Sequence, residues 1–175
     1  MNTLSDKLDE IYKLLLKAYG PQNWWPAESS LEVMVGAVLT QNTNWQGVEK
    51  AIANLKKNGI LALDKLHHRS IEELAEFIKP AGYFNLKARR LKNLIGMVVE
   101  AFGGDLAAMG QTETAQLRQE LLLVNGVGPE TADSILLYAF HRPIFVVDTY
   151  TYRVTSRHGL IEEEVNYQEL QDLFM

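Results

Sequence analysis

Apolar residues recur at helical spacing along most of the chain. Three stripes, beginning at Leu4, Leu31 and Leu91, carry apolar side chains three and four residues apart. Because this spacing places the apolar side chains on one face of a helix, each stripe predicts an amphipathic helix whose apolar face lies in the core. Helical periodicity therefore dominates the sequence.

Capping and turn residues separate the helical segments. Ser29 and Ser70 each precede a segment with glutamate close behind, which is typical of a helix start, and Thr112 precedes a run that ends at Leu123. Glycine and Asn-Gly turns predict the helix ends. The one strand-like run, residues 144–147, is short and follows a proline, so it predicts extended chain without a sheet. The predicted fold class is all-α.

The composition limits the class of protein. The chain has 175 residues, of which 47% are hydrophobic, enough to bury a core in one globular body or in two small lobes. No apolar run approaches the roughly 18 residues of a membrane span, and the polar first ten residues lack the features of a signal peptide. We therefore expect a cytoplasmic monomer that does not contact membranes.

The lack of cysteine restricts the cofactors. With no cysteine in the sequence, disulfides, thiolate zinc sites, cysteine nucleophiles and iron–sulfur clusters are excluded within these residues. The four histidines show no metal-ligand spacing with carboxylates, so we expect them at surface or packing positions. Glycine-rich phosphate loops of the Walker or dinucleotide type are absent as well.

The charge is unevenly distributed, and its sum of −5 is unusual for a protein that binds nucleic acid. Residues 77–99 contain no acid and five bases, and residues 134–161 contain three arginines and one aspartate. The acids concentrate in residues 6–10, 72–76 and 162–164. Such runs are usually solvated helix faces, so DNA contact is an alternative that needs support from a motif.

The most informative segment runs from Leu121 to Asp133. We expect a helix that ends near Leu123 at an Asn-Gly pair, a second turn with positive φ at Gly128, and Pro129 in the first turn of the next helix. Such a hairpin directs amides outward at the positive end of a helix dipole, where a phosphate can accept them. The amides concerned are those of Gly126, Val127, Gly128, Glu130 and Thr131. An ordinary turn between two helices is the alternative.

With three further motifs, this hairpin resembles the helix-hairpin-helix DNA glycosylase superfamily, to which endonuclease III belongs. The four motifs are residues 36–43, 82–90, 124–132 and 144–154, so the resemblance covers about Leu31 to His158. It implies an all-α fold in which two helical lobes flank a DNA-binding groove. It also implies removal of a damaged base from double-stranded DNA.

The resemblance suggests three segments. We expect an N-terminal helix and linker over residues 1–30, a helical bundle that ends in the hairpin over residues 31–141, and a catalytic segment with the start of a C-terminal lobe over residues 142–175. Family members continue for several further helices, and many carry four iron–sulfur cysteines there. The chain is therefore either a fragment or a member of a branch without that region.

Asp148 is the candidate catalytic residue. It follows an apolar run and precedes a helical pattern, so we expect it to cap a helix whose amides stabilise its negative charge. Capping alone is the alternative. The resemblance implies that the carboxylate stabilises positive charge on C1′ as the glycosidic bond breaks and helps to orient the attacking water.

Glu130 departs from the pattern of the bifunctional members. Those members carry a lysine two residues after the second hairpin glycine, and its amine forms a Schiff base with C1′ that leads to strand cleavage. A carboxylate cannot form that imine. The resemblance therefore points to the monofunctional branch, in which water is the nucleophile, unless a displaced lysine such as Lys79 or Lys87 substitutes.

Three tryptophans are candidates for holding a flipped base. Trp24, Trp25 and Trp45 lie in segments that resemble the endonuclease III-like 3-methyladenine glycosylases, and Glu130 is a fourth candidate for this pocket. A cationic N-methylated purine gains roughly 0.5–2 kcal/mol from stacking on aromatic rings. Core packing is the alternative for each tryptophan. A pyrimidine or mismatch glycosylase and a non-catalytic DNA-binding module are the alternative functions.

The resemblance implies further DNA contacts and a cation site. Gln41 is the candidate that fills the space left by the flipped nucleotide, and an amide bonding to local backbone is its alternative. Lys87, Arg89 and Arg90 are candidates for phosphate or surface contacts. The backbone carbonyls whose positions match a monovalent-cation site in some family hairpins are those of Leu122, Val124 and Val127.

Overall fold

Helices form the secondary structure of the described chain. The computed structural model describes residues 4–161 and 165–175, where it contains α-helices, a 3₁₀ turn at Lys79–Ala81, a π-helical segment at Ile135–Ala139 and no strand. The predicted all-α class is confirmed, while the acids at 162–164 lie outside the described residues. None of the described helices is long and apolar enough to cross a membrane. The α-helices are α1 (Leu4–Tyr19), α2 (Ser30–Leu39), α3 (Trp45–Lys57), α4 (Leu63–His68), α5 (Ile71–Ile78), α6 (Phe84–Phe102), α7 (Leu106–Gln111), α8 (Thr114–Leu123), α9 (Pro129–Ser134), α10 (Thr149–Arg157) and α11 (Tyr167–Asp172).

The chain forms two compact units. The terminal unit combines Met1–Pro26 with Ile144–Met175 and contains α1, α10 and α11. The central unit consists of Ala27–Pro143 and contains α2 to α9. The division into three segments that the resemblance suggested stays a prediction.

Helix α2 lies at the centre of the core of the central unit. It is apolar on nearly every side, and all its residues from Leu31 to Leu39 are buried, as expected for a helix surrounded by others. Helices α3 and α6 and the π-helical segment pack against it. Helix α6 contributes Leu91, Leu94, Ile95 and Val98, which have no exposed surface. The stripes that begin at Leu31 and Leu91 are therefore confirmed as core faces.

Side-chain caps define helix starts in the central unit. Ser29 caps α2, and Ser70 forms a reciprocal capping box with Glu73 at the start of α5, so both predictions are confirmed. Helix α8 differs, because its N-cap is Glu113, whereas Thr112 lies at the end of α7. A glutamate side chain reaches an amide of the first turn there, which the sequence pattern did not indicate.

In the terminal unit, the segment before α10 is extended and is held by side chains. The Val147 N–H donates to the Tyr167 hydroxyl at 3.3 Å, and the Gln171 side-chain amide donates to the Phe145 carbonyl at 2.6 Å. The rings of Phe145 and Phe174 stack with centroids 3.9 Å apart. The prediction of extended chain without a sheet is confirmed within the described residues.

The apolar stripe of α1 is not a core face, so this prediction was wrong. Helix α1 has no buried residue, and Tyr12 and Leu15 are exposed. The other two described helices of the terminal unit have nine and six residues, too few to cover a helix of 16. Part of the stripe instead lines a cleft of about 630 Å³, whose walls also include Val154, Leu173 and Asp148.

Two helical glycines make a matched test of packing in the central unit. A β-carbon on Gly47 of α3 would lie 2.5 Å from the Pro80 carbonyl oxygen, whereas one on Gly96 of α6 would meet nothing within 4 Å. We expect Gly47→Ala to lower the free energy of unfolding by about 2 kcal/mol through overpacking. Gly96→Ala should raise it by about 0.5–1 kcal/mol through helix propensity. Urea denaturation measures both changes, and equal effects would contradict the packing of α3 against Pro80.

Candidate active site

The hairpin forms as the sequence indicated, except at its second glycine. Helix α8 ends at Leu123, Gly126 has a φ of 97°, and Pro129 begins α9. Gly128 has a φ of −97° and a ψ of 179°, so the expected second turn with positive φ was wrong. Gly128 is the N-cap of α9, where an extended backbone is usual.

No contact among the described residues requires glycine at position 128. Its backbone angles are open to any residue, and a β-carbon there would meet no atom within 4 Å. Gly126 is different, because a β-carbon there would lie 2.3 Å from Arg90 Cγ. A glycine without an internal packing reason suits a position where a ligand approaches the backbone closely.

A partly buried ion pair holds the two hairpin helices together. Arg118 of α8 donates from Nε and Nη2 to the two carboxylate oxygens of Asp133 of α9, at 2.7 and 3.1 Å. Asp133 has no exposed surface. Such a bidentate pair fixes the relative orientation of its partners. No spacing rule predicts this pair, because its members are 15 residues apart and are separated by the turn.

Gln41 is bonded to the hairpin. Its side-chain Nε2 donates to the Gly126 carbonyl and to the Thr131 hydroxyl, both at 3.0 Å, and its Oε1 accepts from Arg90 Nη1. The alternative of an amide bonding to local backbone was wrong, because these partners are distant in sequence. The side chain joins the residues just after α2 to the hairpin and to α6.

Lys87 is not a surface residue, so its prediction as a phosphate or surface contact was wrong. Only 1% of it is exposed, and its Nζ donates to the carbonyls of Leu39 at 2.8 Å and Ala81 at 2.7 Å. Burial, with a smaller contribution from Arg90, lowers the pKa of the ammonium group from 10.5 to about 8. Arg89 is exposed, and its role in binding stays a prediction.

Asp148 caps α10 and is half-buried. Its Oδ1 accepts from the Thr151 backbone N–H at 2.8 Å and from the Thr151 hydroxyl at 2.9 Å. No donor from the described part of the chain is bonded to Oδ2. The carboxylate therefore has one oxygen, Oδ1, that accepts two hydrogen bonds, and a second oxygen, Oδ2, that can contact a reacting group. The expected cap is confirmed, and the sequence reasoning missed Thr151, although its place three residues after the cap is the capping-box position.

The tryptophans are not buried core residues. Trp24 is 69% exposed and Trp25 is half-buried, both in the terminal unit. Trp45 is half-buried in the central unit, where it begins α3 and donates from Nε1 to Glu49 at 2.9 Å. Glu130 is exposed in the first turn of α9. In the described ranges, no three His, Asp or Glu side chains are grouped to hold a metal ion.

The all-α fold, the hairpin with its glycines and the helix-capping aspartate are the features by which the sequence resembles the helix-hairpin-helix DNA glycosylases. A sequence profile of the HhH-GPD superfamily of base excision DNA repair proteins matches residues 35–175. The chain belongs to this superfamily. It is a DNA glycosylase, an enzyme that hydrolyses N-glycosyl bonds.

Relatives and solved structures agree with this membership. A Methanocaldococcus jannaschii protein, named as a candidate DNA repair glycosylase, is 53% identical over 94% of this chain and 76% of its own length. Endonuclease III of Sulfolobus acidocaldarius is 28% identical over 99% of this chain and 76% of its own length. The crystal structure of the 3-methyladenine DNA glycosylase of H. pylori, bound to 1,N6-ethenoadenine, is similar with a TM-score of 0.84 and 36% identity. That similarity covers 98% of this chain and 80% of the other.

The buried ammonium of Lys87 predicts a pH-dependent stability. Between about pH 8 and 10.5 the unfolded chain holds a proton that the folded protein has released, so this group makes stability rise with pH in that window. We expect the free energy of unfolding of the native protein, minus that of Lys87→Met, to increase from pH 7.5 to 10 by at most about 3 kcal/mol. Urea titrations at each pH measure it, with Lys50→Met at an exposed position as the control. A flat or falling difference would contradict the buried charge.

Proposed function

We propose that the protein is a monofunctional DNA glycosylase that releases an alkylated purine, such as 3-methyladenine, from double-stranded DNA. The observation that carries the proposal is that the chain has a helix-capping carboxylate, Asp148, and a glutamate instead of a lysine at position 130. The carboxylate has one oxygen without a donor from the described residues, and Glu130 stands where bifunctional family members carry the amine nucleophile.

The chemistry follows from the charge on Asp148. As the bond between C1′ and the base lengthens, the sugar acquires positive charge, which a carboxylate stabilises. Oδ2 is the oxygen that can face the sugar or accept a proton from the attacking water. Water then adds to C1′ and leaves an abasic site. Because Glu130 cannot form an imine, the strand is not cut.

An alkylated purine is the substrate base that these residues fit best. N-methylation places positive charge on the base, which weakens the glycosidic bond, so little acid catalysis is required. Trp24, Trp25 and Trp45 are the candidates for stacking on that cation. The similarity to the H. pylori 3-methyladenine glycosylase supports this choice of base, and the relatives named endonuclease III keep a pyrimidine glycosylase as the second candidate.

The hairpin would bind the phosphate backbone next to the damaged nucleotide. The amides of Gly126, Gly128, Glu130 and Thr131 would be the donors, and the open space beside Gly128 supports a close approach of phosphate. The Val127 N–H, which the sequence also suggested, donates to the Val124 carbonyl instead. Gln41 can enter the duplex only if its bonds to Gly126, Thr131 and Arg90 break. Arg89 would add a phosphate contact.

The hairpin carbonyls of Leu122, Val124 and Val127 would be the ligands of a monovalent cation. Leu122 lies in the last turn of α8 and Val124 directly follows the helix, where carbonyls lack intrahelical donors. The Val124 carbonyl accepts from the Val127 N–H at 3.0 Å, which leaves one lone pair for a ligand bond. With the Val127 carbonyl, these oxygens would hold the ion, and its charge would attract the phosphate.

Asp148→Asn is the direct test of the chemistry. Asparagine keeps the cap of α10 and removes the negative charge, so we expect folding to be retained and base release to fall by about 100-fold or more. Release is measured by chromatography from duplex DNA treated with a methylating agent, and from duplexes with thymine glycol or a G·T mismatch. We expect release from the methylated DNA alone, and strand cleavage only after alkali.

The outcomes separate the candidates. If the folded Asp148→Asn protein releases bases as fast as the native protein, the proposed catalytic role of Asp148 is wrong. Release of thymine glycol or mismatched thymine with no methylated purine would favour the pyrimidine or mismatch alternative. Strand cleavage without alkali, or trapping of the enzyme on DNA by borohydride, would overturn the monofunctional assignment. DNA binding without any base release would favour the non-catalytic module.

The tryptophans can be tested separately from the chemistry. If Trp25 and Trp45 hold the flipped base, replacing either by alanine should lower the release of methylated purine about tenfold, because roughly 1–3 kcal/mol of base stacking is lost. Affinity for an undamaged duplex, measured by fluorescence anisotropy, should change by about twofold or less. Equal losses of release and affinity would indicate that the tryptophans only support the fold.

A further inference from the structure

We infer that Thr151 is a positioning residue for the reacting carboxylate, and that its hydroxyl, together with its backbone N–H, holds Asp148 so that Oδ2 is left for the sugar. The inference rests on the proposed function, in which Asp148 acts at C1′. It concerns two residues of the terminal unit and the three hydrogen bonds between them.

The geometry determines where the hydroxyl proton goes. The Asp148 N–H points to Thr151 Oγ1 at 3.3 Å, so the hydroxyl oxygen accepts that bond. The same hydroxyl lies 2.9 Å from Asp148 Oδ1, an oxygen that accepts only. Since a hydroxyl has a single proton, this proton is donated to Oδ1.

The result is an asymmetric carboxylate. Oδ1 of Asp148 receives two donors from Thr151, the hydroxyl and the backbone N–H at 2.8 Å. Oδ2 receives none from the described residues. Two bonds to one oxygen, together with the return bond from the Asp148 N–H, hold the carboxylate plane in one orientation. Both residues line the 630 Å³ cleft of the terminal unit, so this arrangement is not closed off inside a packed core.

Thr151 is itself held in place. The Thr155 hydroxyl donates to the Thr151 carbonyl at 2.8 Å, and Thr155 is buried with 2% exposed. This bond fixes the backbone of the first turn of α10 from one turn further along the helix. The donor to the carboxylate is thereby attached to a rigid element, which a positioning group requires.

Capping of the helix accounts for the hydroxyl as an acceptor but not as a donor. In the capping box, the Thr151 N–H donates to Asp148 Oδ1 and the Asp148 N–H donates to the Thr151 hydroxyl oxygen, and neither bond uses the hydroxyl proton. The hydroxyl adds a second, charge-assisted bond to an oxygen that already has a partner. Its effect should therefore appear in the reaction rate more than in the stability of α10.

The test compares Thr151→Val with Thr151→Ser. Valine has the same shape and lacks the donor, whereas serine keeps the donor and lacks the methyl group. With methylated duplex DNA and excess enzyme, we expect Thr151→Val to lower the single-turnover rate of base release roughly tenfold, and Thr151→Ser to stay within about threefold of the native rate. Affinity for an undamaged duplex should change by about twofold or less in both.

Controls separate this inference from the proposed function. Ser156→Ala, which removes an exposed hydroxyl from the same helix, should leave the rate unchanged. Thermal unfolding followed by circular dichroism shows that each variant is folded at the assay temperature. A native rate in Thr151→Val, or equal losses in the valine and serine variants, would overturn the positioning role while a slow Asp148→Asn still supported the glycosylase chemistry. An undiminished rate in Asp148→Asn would overturn both.

Discussion

The missing side chain at Gly126 is the constraint on which the central unit's hairpin depends. A β-carbon there would lie 2.3 Å from Arg90 Cγ and 2.8 Å from Cδ, so the stem of Arg90 occupies the space that a side chain would need. From this position Arg90 bonds to Gln41, and Gln41 bonds to the Gly126 carbonyl and to Thr131. One glycine thus allows segments from α2, α6 and α9 to meet at a single turn.

Asp148 is held by a different kind of interaction. Its partners belong to one residue three positions along the chain, so the arrangement is local and forms with the helix itself. The hairpin, by contrast, requires residues some 85 positions apart in sequence. The two parts of the proposed site therefore depend on separate causes, and a substitution can damage one of them without the other.

This difference explains what could be predicted from the sequence. Sequence patterns predict features that depend on neighbouring residues. These features include the all-α class, the end of α8 and the caps at Ser29, Ser70 and Asp148. The burial of Lys87 and the distant partners of Gln41 arise from tertiary packing, which no spacing rule encodes. The φ of Gly128 has a local cause instead, because this residue is the N-cap of α9, where an extended backbone is usual. Because Lys87 lies in a stretch without acidic residues, the sequence predicted a surface contact. In the structure its ammonium group donates to two backbone carbonyls instead.

The bidentate pair between Arg118 and Asp133 has a consequence for how the enzyme would move over DNA. Because the pair locks α8 to α9 in the free protein, the hairpin is preorganised, and the entropy of ordering it is lost during folding. If the hairpin binds phosphate as proposed, each encounter would require little further ordering of the backbone. A preorganised hairpin that binds phosphates without regard to base sequence would let the enzyme move rapidly over many undamaged sites for each lesion that it finds.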